Sequence, residues 1–145
     1  MKNMYKKSGV NLNEARELER RISSIGDNIG KFAGINGNIV LTCDGIGTKI
    51  IPLYKRGLYK TIAQDLAAAN LNDLAASGAK ALGFSDYIAV HKLESERISQ
   101  IILELANILK EHSCPLLGGE TAEMPDLITE GNIDISGFVI GEGNG

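Results

Sequence analysis

Apolar residues recur at helical spacing most clearly between positions 95 and 112, where Ile98, Ile101, Ile102, Leu105, Ile108 and Leu109 form one stripe. Glu94 and Glu96 precede it and Lys110 and His112 close it, the polarity that a helix dipole favours. The pattern predicts an amphipathic scaffold helix. A second helix is predicted over 13–25, with Asn13 as N-cap, Leu18, Ile22 and Ile25 spaced by four and three, and Gly26 as the stop. A third, over 61–77, is signalled by its alanine content and by Gly78 beyond it rather than by a stripe. Short β-branched or mostly apolar runs predict strands at 39–43, 81–90, 114–117 and 134–141. The segment 26–38, punctuated by Gly26, Gly30, Gly34 and Gly37, reads as a loop. The order αβαβαββ predicts an α+β, two-layer domain with a mixed four-stranded sheet and helices on one face.

Composition narrows the class. At 145 residues, 43% hydrophobic and 23% charged, the chain has the make-up of one ordinary globular domain. A net charge of -3 gives no general attraction for nucleic acid or an anionic membrane, and no apolar run approaches the length of a membrane helix. The basic start, Met1 to Lys7, runs into Ser8-Gly9-Val10-Asn11 rather than a hydrophobic targeting segment, so a cytoplasmic location is expected. Cys43 and Cys114 lack CxxC spacing and sit among apolar neighbours, which predicts buried free thiols. Neither His91 nor His112 has a second histidine at ligand spacing. Glycine is in excess, with 17 residues.

Three segments carry candidate chemistry. Asp44-Gly45-Ile46-Gly47-Thr48-Lys49 directly follows a predicted strand. Its glycines let backbone amides approach an anion, Thr48 adds a hydroxyl and Lys49 a positive charge. The order is neither a P-loop nor GxGxxG. A carboxylate beside phosphates repels them unless a divalent cation lies between, so Asp44 points to metal-bound phosphate; the plain alternative is a glycine turn with a solvated aspartate. On the 61–77 helix, Asn72 falls within about 20° of Asp65 and Asp73 about 80° away, with Leu71 and Leu74 opposite. A solvated acidic face is the ordinary reading. The absence of Lys, Glu or Arg between Gln64 and Ser77, with Ala69 and Ala76 on the same side, suggests instead a recessed surface lined by acid. Asp86 interrupts an apolar strand, either as a further oxygen donor or as an acceptor for nearby amides. Gly118-Gly119-Glu120-Thr121-Ala122-Glu123 again joins close backbone approach to oxygen donors, or is a tight loop capped by Thr121. Hard oxygens spread over several segments suit magnesium shared with substrate phosphates, and no Cys/His set competes for a softer metal.

Taken together these residues resemble the N-terminal half of the phosphoribosylformylglycinamidine cyclo-ligase family, the aminoimidazole ribonucleotide synthetases of purine biosynthesis. The likeness runs through Tyr5-Lys6-Lys7-Ser8-Gly9-Val10, Asp44 to Lys49, Asp65-Leu66, Asn72-Asp73-Leu74, Gly78-Ala79, Ser85 to Ala89, Gly118 to Pro125, and Asp134 with Gly137-Phe138. Gly-Gly-Glu-Thr-Ala-Glu-Met-Pro is its most specific string; the Asp-Gly-x-Gly-Thr-Lys string has variants in related ATP-using enzymes. The resemblance implies a sheet that pairs with that of a second subunit to form a barrel across a homodimer. It implies ATP and Mg2+ as cofactors and formylglycinamidine ribonucleotide as substrate. ATP would activate the formyl amide oxygen, the amidine nitrogen would attack, and the imidazole ring would close with release of phosphate and ADP. By position, Asp44, Asp65 and Asp73 would hold magnesium directly or through water. Lys6, Thr48, Lys49, Asn72, Asp86 and the backbone through Gly118, Gly119, Glu120 and Thr121 would contact or orient the nucleotide.

Departures from the family pattern fall at a shorter 26–37 segment, Leu58-Tyr59, Gln64 and Asp126. The family's chains are also longer, so residues 1–145 are expected to be a single N-terminal ATP-binding and dimerisation domain, with a C-terminal domain beyond Gly145. Two rivals share parts of this reading. One keeps the ATP chemistry with a different acceptor, as in selenophosphate synthetases, thiamine-phosphate kinases or hydrogenase-maturation enzymes, against which the Met124-Pro125 ending speaks. The other is a dimerising, nucleotide-binding module without catalysis of its own.

Overall fold

The computed structural model describes residues 7–30 and 32–143. Its elements are helix α1 (Leu12–Ser23), strands β1 (Gly34–Asn36) and β2 (Ile39–Gly45), a 3-10 turn (Gly47–Lys49), helices α2 (Ile50–Lys55) and α3 (Tyr59–Ala76), strand β3 (Ala79–Val90), helix α4 (Ser95–Glu111), and strands β4 (Leu116–Glu123) and β5 (Ile133–Gly143). The strands form one five-stranded mixed sheet in the order β1-β2-β5-β3-β4. Only β3 and β4 run parallel, joined through α4, as a parallel pair requires a crossover.

The fold class is the expected one, with five strands rather than four. The extra strand is β1, inside the segment read as a loop. Gly37, at φ 61°, makes the tight turn that folds Gly34–Asn36 back on Ile39–Leu41. Glycine and asparagine there mark a hairpin rather than the lack of a strand. The strand predicted at 114–117 instead starts at Leu116 and continues through the Gly118–Glu123 motif, because pairing with β3 from Ser85 to Val90 holds it extended. Helix α2, between Lys49 and Arg56, was not signalled by periodicity. Asn11 rather than Asn13 caps α1, its Oδ1 accepting from the backbone of Asn13 and Glu14.

Strand alternation divides the sheet into two unlike faces. Val40, Phe84, Ile88, Ile135 and Val139 are buried against Ile62, Leu66 and Leu74 of α3 and Ile98, Ile101, Leu105 and Leu109 of α4. Residues between them point the other way and stay open: Ile39, Leu41, Leu117 and Phe138 are 49, 51, 67 and 37% exposed. Cys43 belongs to this open face, which corrects its expected burial; Cys114 is buried as expected. Arg97 locks the helices together, stacking 3.9 Å from the Tyr54 ring centroid while donating to the Tyr54 carbonyl, the Tyr59 hydroxyl and Glu94.

Candidate functional site

The sheet register gathers residues that lie far apart in the chain. Asp44 pairs with Gly137, Gly137 with Asp86, and Asp86 with Gly119, so these four make one row across β2, β5, β3 and β4. Directly paired residues share a face, and here it is the face covered by the helices. Asp44 and Asp86 are two strands apart, about 10 Å at the usual strand spacing. The two glycines provide the room. A Cβ on Gly137 would meet the Phe84 ring and stand 2.5 Å from Asn70 Nδ2, and one on Gly119 would stand 2.5 Å from Asp86 Oδ1. The Asn70 amide and the Asp86 carboxyl therefore fill the space that side chains at these positions would occupy.

Asp86 is 4% exposed. Burial pushes its carboxyl up to about 6, partly offset by a hydrogen bond from its own backbone. Asp44, at the open end of β2, is exposed, and its Oδ1 accepts from the Gly45 N–H at 2.8 Å. The chain then turns through Gly47, at φ 67°, into the 3-10 turn that presents Thr48 and Lys49 to solvent. Lys49 Nζ lies 3.1 Å from Asp65 Oδ2 on α3, with side chains 58 and 35% exposed. An ion pair this open contributes little to stability and is readily exchanged for other partners. Beside the turn is a cavity of about 370 Å³ lined by Gly47, Thr48, Ile51, Leu127, Thr129 and Asp134 among others, a volume within the range of small-molecule sites.

The remaining candidates are less closely grouped. Asn72 is exposed and Asp73 half-buried, with the Asp73 carbonyl accepting from the Ser77 hydroxyl. Asp65 and Asp73 are eight residues apart, about 12 Å along a helix axis, against roughly 4 Å between opposite oxygens around magnesium. One ion does not take both directly. In β4, Gly118, Gly119 and Glu120 are exposed and Thr121 half-buried, and alternation puts Glu120 on the face opposite Gly119. Lys6 lies outside the described residues. Among the described residues no three His, Cys, Asp or Glu side chains form a metal-holding group. The oxygen donors match the chemistry of magnesium but make no closed cage, so an ion here would need phosphate oxygens or water to complete its shell.

Asn70 is the residue that sequence reasoning missed. It is fully buried and bonds both backbone groups of Asp44. The signal was present: Leu66, Asn70 and Leu74 recur every four residues, which puts an amide in the middle of a buried line. His91 has a structural role, its Nδ1 lying 2.8 Å from the Ile128 carbonyl. No helix among the described residues is long and apolar enough to cross a membrane.

Comparison with known proteins follows the same lines. A phosphoribosylformylglycinamidine cyclo-ligase from Arabidopsis thaliana, described as chloroplastic, is 40% identical over 141 residues, covering 94% of this chain and 36% of its own length. The chain thus spans less than half the length of the curated relatives it matches. Among solved structures, HypE in a HypE-HypF complex aligns with a TM-score of 0.65 at 22% identity, covering 88% of this chain and 42% of that one. AaThiL complexed with AMPPCP and TMP aligns with a TM-score of 0.62 at 15% identity, covering 88% and 40%. These structural likenesses establish the shared fold. The model of AIR synthase related protein, N-terminal domain, matches residues 26–142, and the chain belongs to that family.

Proposed function

We propose that this chain supplies the magnesium-ATP part of a phosphoribosylformylglycinamidine cyclo-ligase. The observation that carries the reading is the row Asp44, Gly137, Asp86, Gly119, with the Thr48-Lys49 turn leading from one end of it. The name of the 40% identical relative supports the cyclisation of formylglycinamidine ribonucleotide over other ATP-using reactions. AMPPCP, an ATP analogue, in the structurally similar AaThiL supports nucleotide binding by this fold.

Magnesium, when bound, would offset the negative charge of the phosphates and let them lie beside Asp44. Asp44 and Asp65 would hold it, with Asp73 acting through water. Lys49 would leave Asp65 for the phosphates, each exchanging one charged partner for another. Thr48 and the backbone near Gly118 and Gly119 would donate or yield space to phosphate oxygens, with Asn72 and Glu120 farther out. Asp86, buried on the helix-covered face of the sheet, would orient the β3–β4 segment rather than meet the nucleotide in the open. Lys6, outside the described residues, would contact the nucleotide as the family resemblance implies. The activated formyl oxygen would then leave as phosphate once the amidine nitrogen closes the ring, on residues shared with a C-terminal domain.

The open sheet face, with Ile39, Leu41, Leu117 and Phe138, would pair with the same face of a second copy, giving a homodimer. Apolar exposure of this kind on one side of a sheet supports an interface. The test is turnover by the full-length protein: ATP consumption should require both magnesium and formylglycinamidine ribonucleotide. Consumption with a thiamine phosphate or another acceptor, and none with this substrate, would overturn the assignment.

A further inference from the structure

We infer that Asn70 is a positioning residue that sets the direction of the Asp44 carboxylate through that residue's backbone. The inference rests on the magnesium-ATP reading of the Asp44 turn and names a residue that reading does not use.

Asn70 is 0% exposed, and a buried primary amide is costly unless bonded. Its Oδ1 accepts from Asp44 N–H at 3.0 Å, and its Nδ2 donates to the Asp44 carbonyl at 3.1 Å and to the Leu66 carbonyl at 3.0 Å. The amide orientation follows from these partners, because a backbone N–H can only donate and a carbonyl only accept. Two of the three bonds go to one residue, in the manner of a neighbouring strand. The location explains why: the Asn38 carbonyl accepts from Gly143 N–H, and alternation from there turns the backbone groups of Asp44 toward Gly137 of β5, next to the end of the strand. The side chain of Asn70 lies over the Asp44–Gly137 pair and bonds the Asp44 backbone from the helix side. A second stitch, from Thr42 Oγ1 to the Asn70 carbonyl at 3.3 Å, ties the same turn of α3 to the same strand.

A carboxylate points where its backbone aims it. Asp44 is the last residue but one of β2, where fraying would otherwise leave φ and ψ free. Gripping both its N–H and its C=O fixes the Cα–Cβ direction without touching the carboxylate, which stays open toward solvent. Gly137 completes the device, since a Cβ there would stand 2.5 Å from Nδ2.

The experiment measures ATP binding to the protein with excess magnesium and again with EDTA, for the unvaried protein, Asn70→Leu, Asn70→Ala and Asp44→Ala. Asn70→Leu fills the space with a somewhat larger apolar side chain and loses all three side-chain hydrogen bonds. Both Asn70 variants should lose about tenfold of the magnesium-dependent gain in affinity, with metal-free affinity unchanged. Added to Asp44→Ala, Asn70→Leu should change the magnesium dependence no further. A folded Asn70→Leu protein with its full magnesium dependence would overturn the inference, as would an equal loss in the Asp44→Ala background. If neither Asn70 variant folds, the side-chain amide protons of Asn70 in the unvaried protein decide: slow exchange of both supports the clamp, and rapid exchange overturns it. An unvaried protein that binds no magnesium-ATP removes the functional reading itself, and the positioning role with it.

Discussion

Helices α3 and α4 pack side by side on one face of the same sheet, yet they do different work. Helix α4 sends Ile98, Ile101, Leu105 and Leu109 into the core and no polar residue with them. Helix α3 sends Ile62, Leu66 and Leu74 into the same core but includes Asn70, and it carries Asp65 and Asp73 beside it. Helix α4 holds its place through this apolar stripe and the Arg97 contacts to Tyr54 and Tyr59. The other must hold its position along β2 and β5, because its amide reaches a particular residue of each. The lesson is that a site built on a sheet row needs a helix with few large side chains: alanines let α3 come close enough for Asn70 and Leu74 to fill the space above Gly137 and Gly141.

Breaking α4 should have the largest effect and the least specific one. Leu105→Ala, at a fully buried position, should cost about 4 kcal/mol of stability by opening a cavity. Chemical denaturation measures the loss, and magnesium-ATP affinity of the protein that remains folded should be unchanged. A selective loss of affinity would mean that α4 also serves the site.

Asp86 sharpens the comparison through pH. Its carboxyl is raised from 3.8 to about 6 in the folded protein, so the native state binds the proton more tightly than the unfolded chain. Its contribution to stability is full below about pH 4 and is lost as pH rises through 6. Relative to Asp86→Asn, the unvaried protein should lose about 2 kcal/mol between pH 4 and 7. Denaturation midpoints of the two proteins across that window test this, and parallel curves would contradict it.

The smallest effect belongs to α1, which contributes no buried residue. Asn11→Ala removes the cap and should cost that helix about 1 kcal/mol. The change should appear as faster amide exchange over Leu12–Ser23, with little movement of the global melting temperature.

Legibility in the sequence followed the same division. The α4 stripe was readable because one face is apolar and the other is not, and 95–112 matched Ser95–Glu111 closely. Helix α3 was readable only from its alanines and its glycine stop, since apolar and polar residues are mixed around it. Asp44, Asp86 and Gly119 each stood out locally as a carboxylate or glycine in unusual company. Their assembly into a row was not readable, because it depends on the pairing of β2 and β3 with β5, the last strand in the chain. Asn70 was passed over for Asn72 for a related reason: the acidic side of the helix drew attention to solvent, whereas the working amide faces inward. β1 was missed because three residues with a glycine turn leave too short a pattern to separate from a loop.

The central claim is that the turn after β2 holds magnesium-ATP. Calorimetric titration of the protein with ATP, in magnesium and in EDTA, tests it most directly when repeated with Asp44→Ala. Binding should tighten at least tenfold with magnesium in the unvaried protein, and Asp44→Ala should remove most of that gain. Equal affinity with and without magnesium, or a gain untouched by Asp44→Ala, would contradict it.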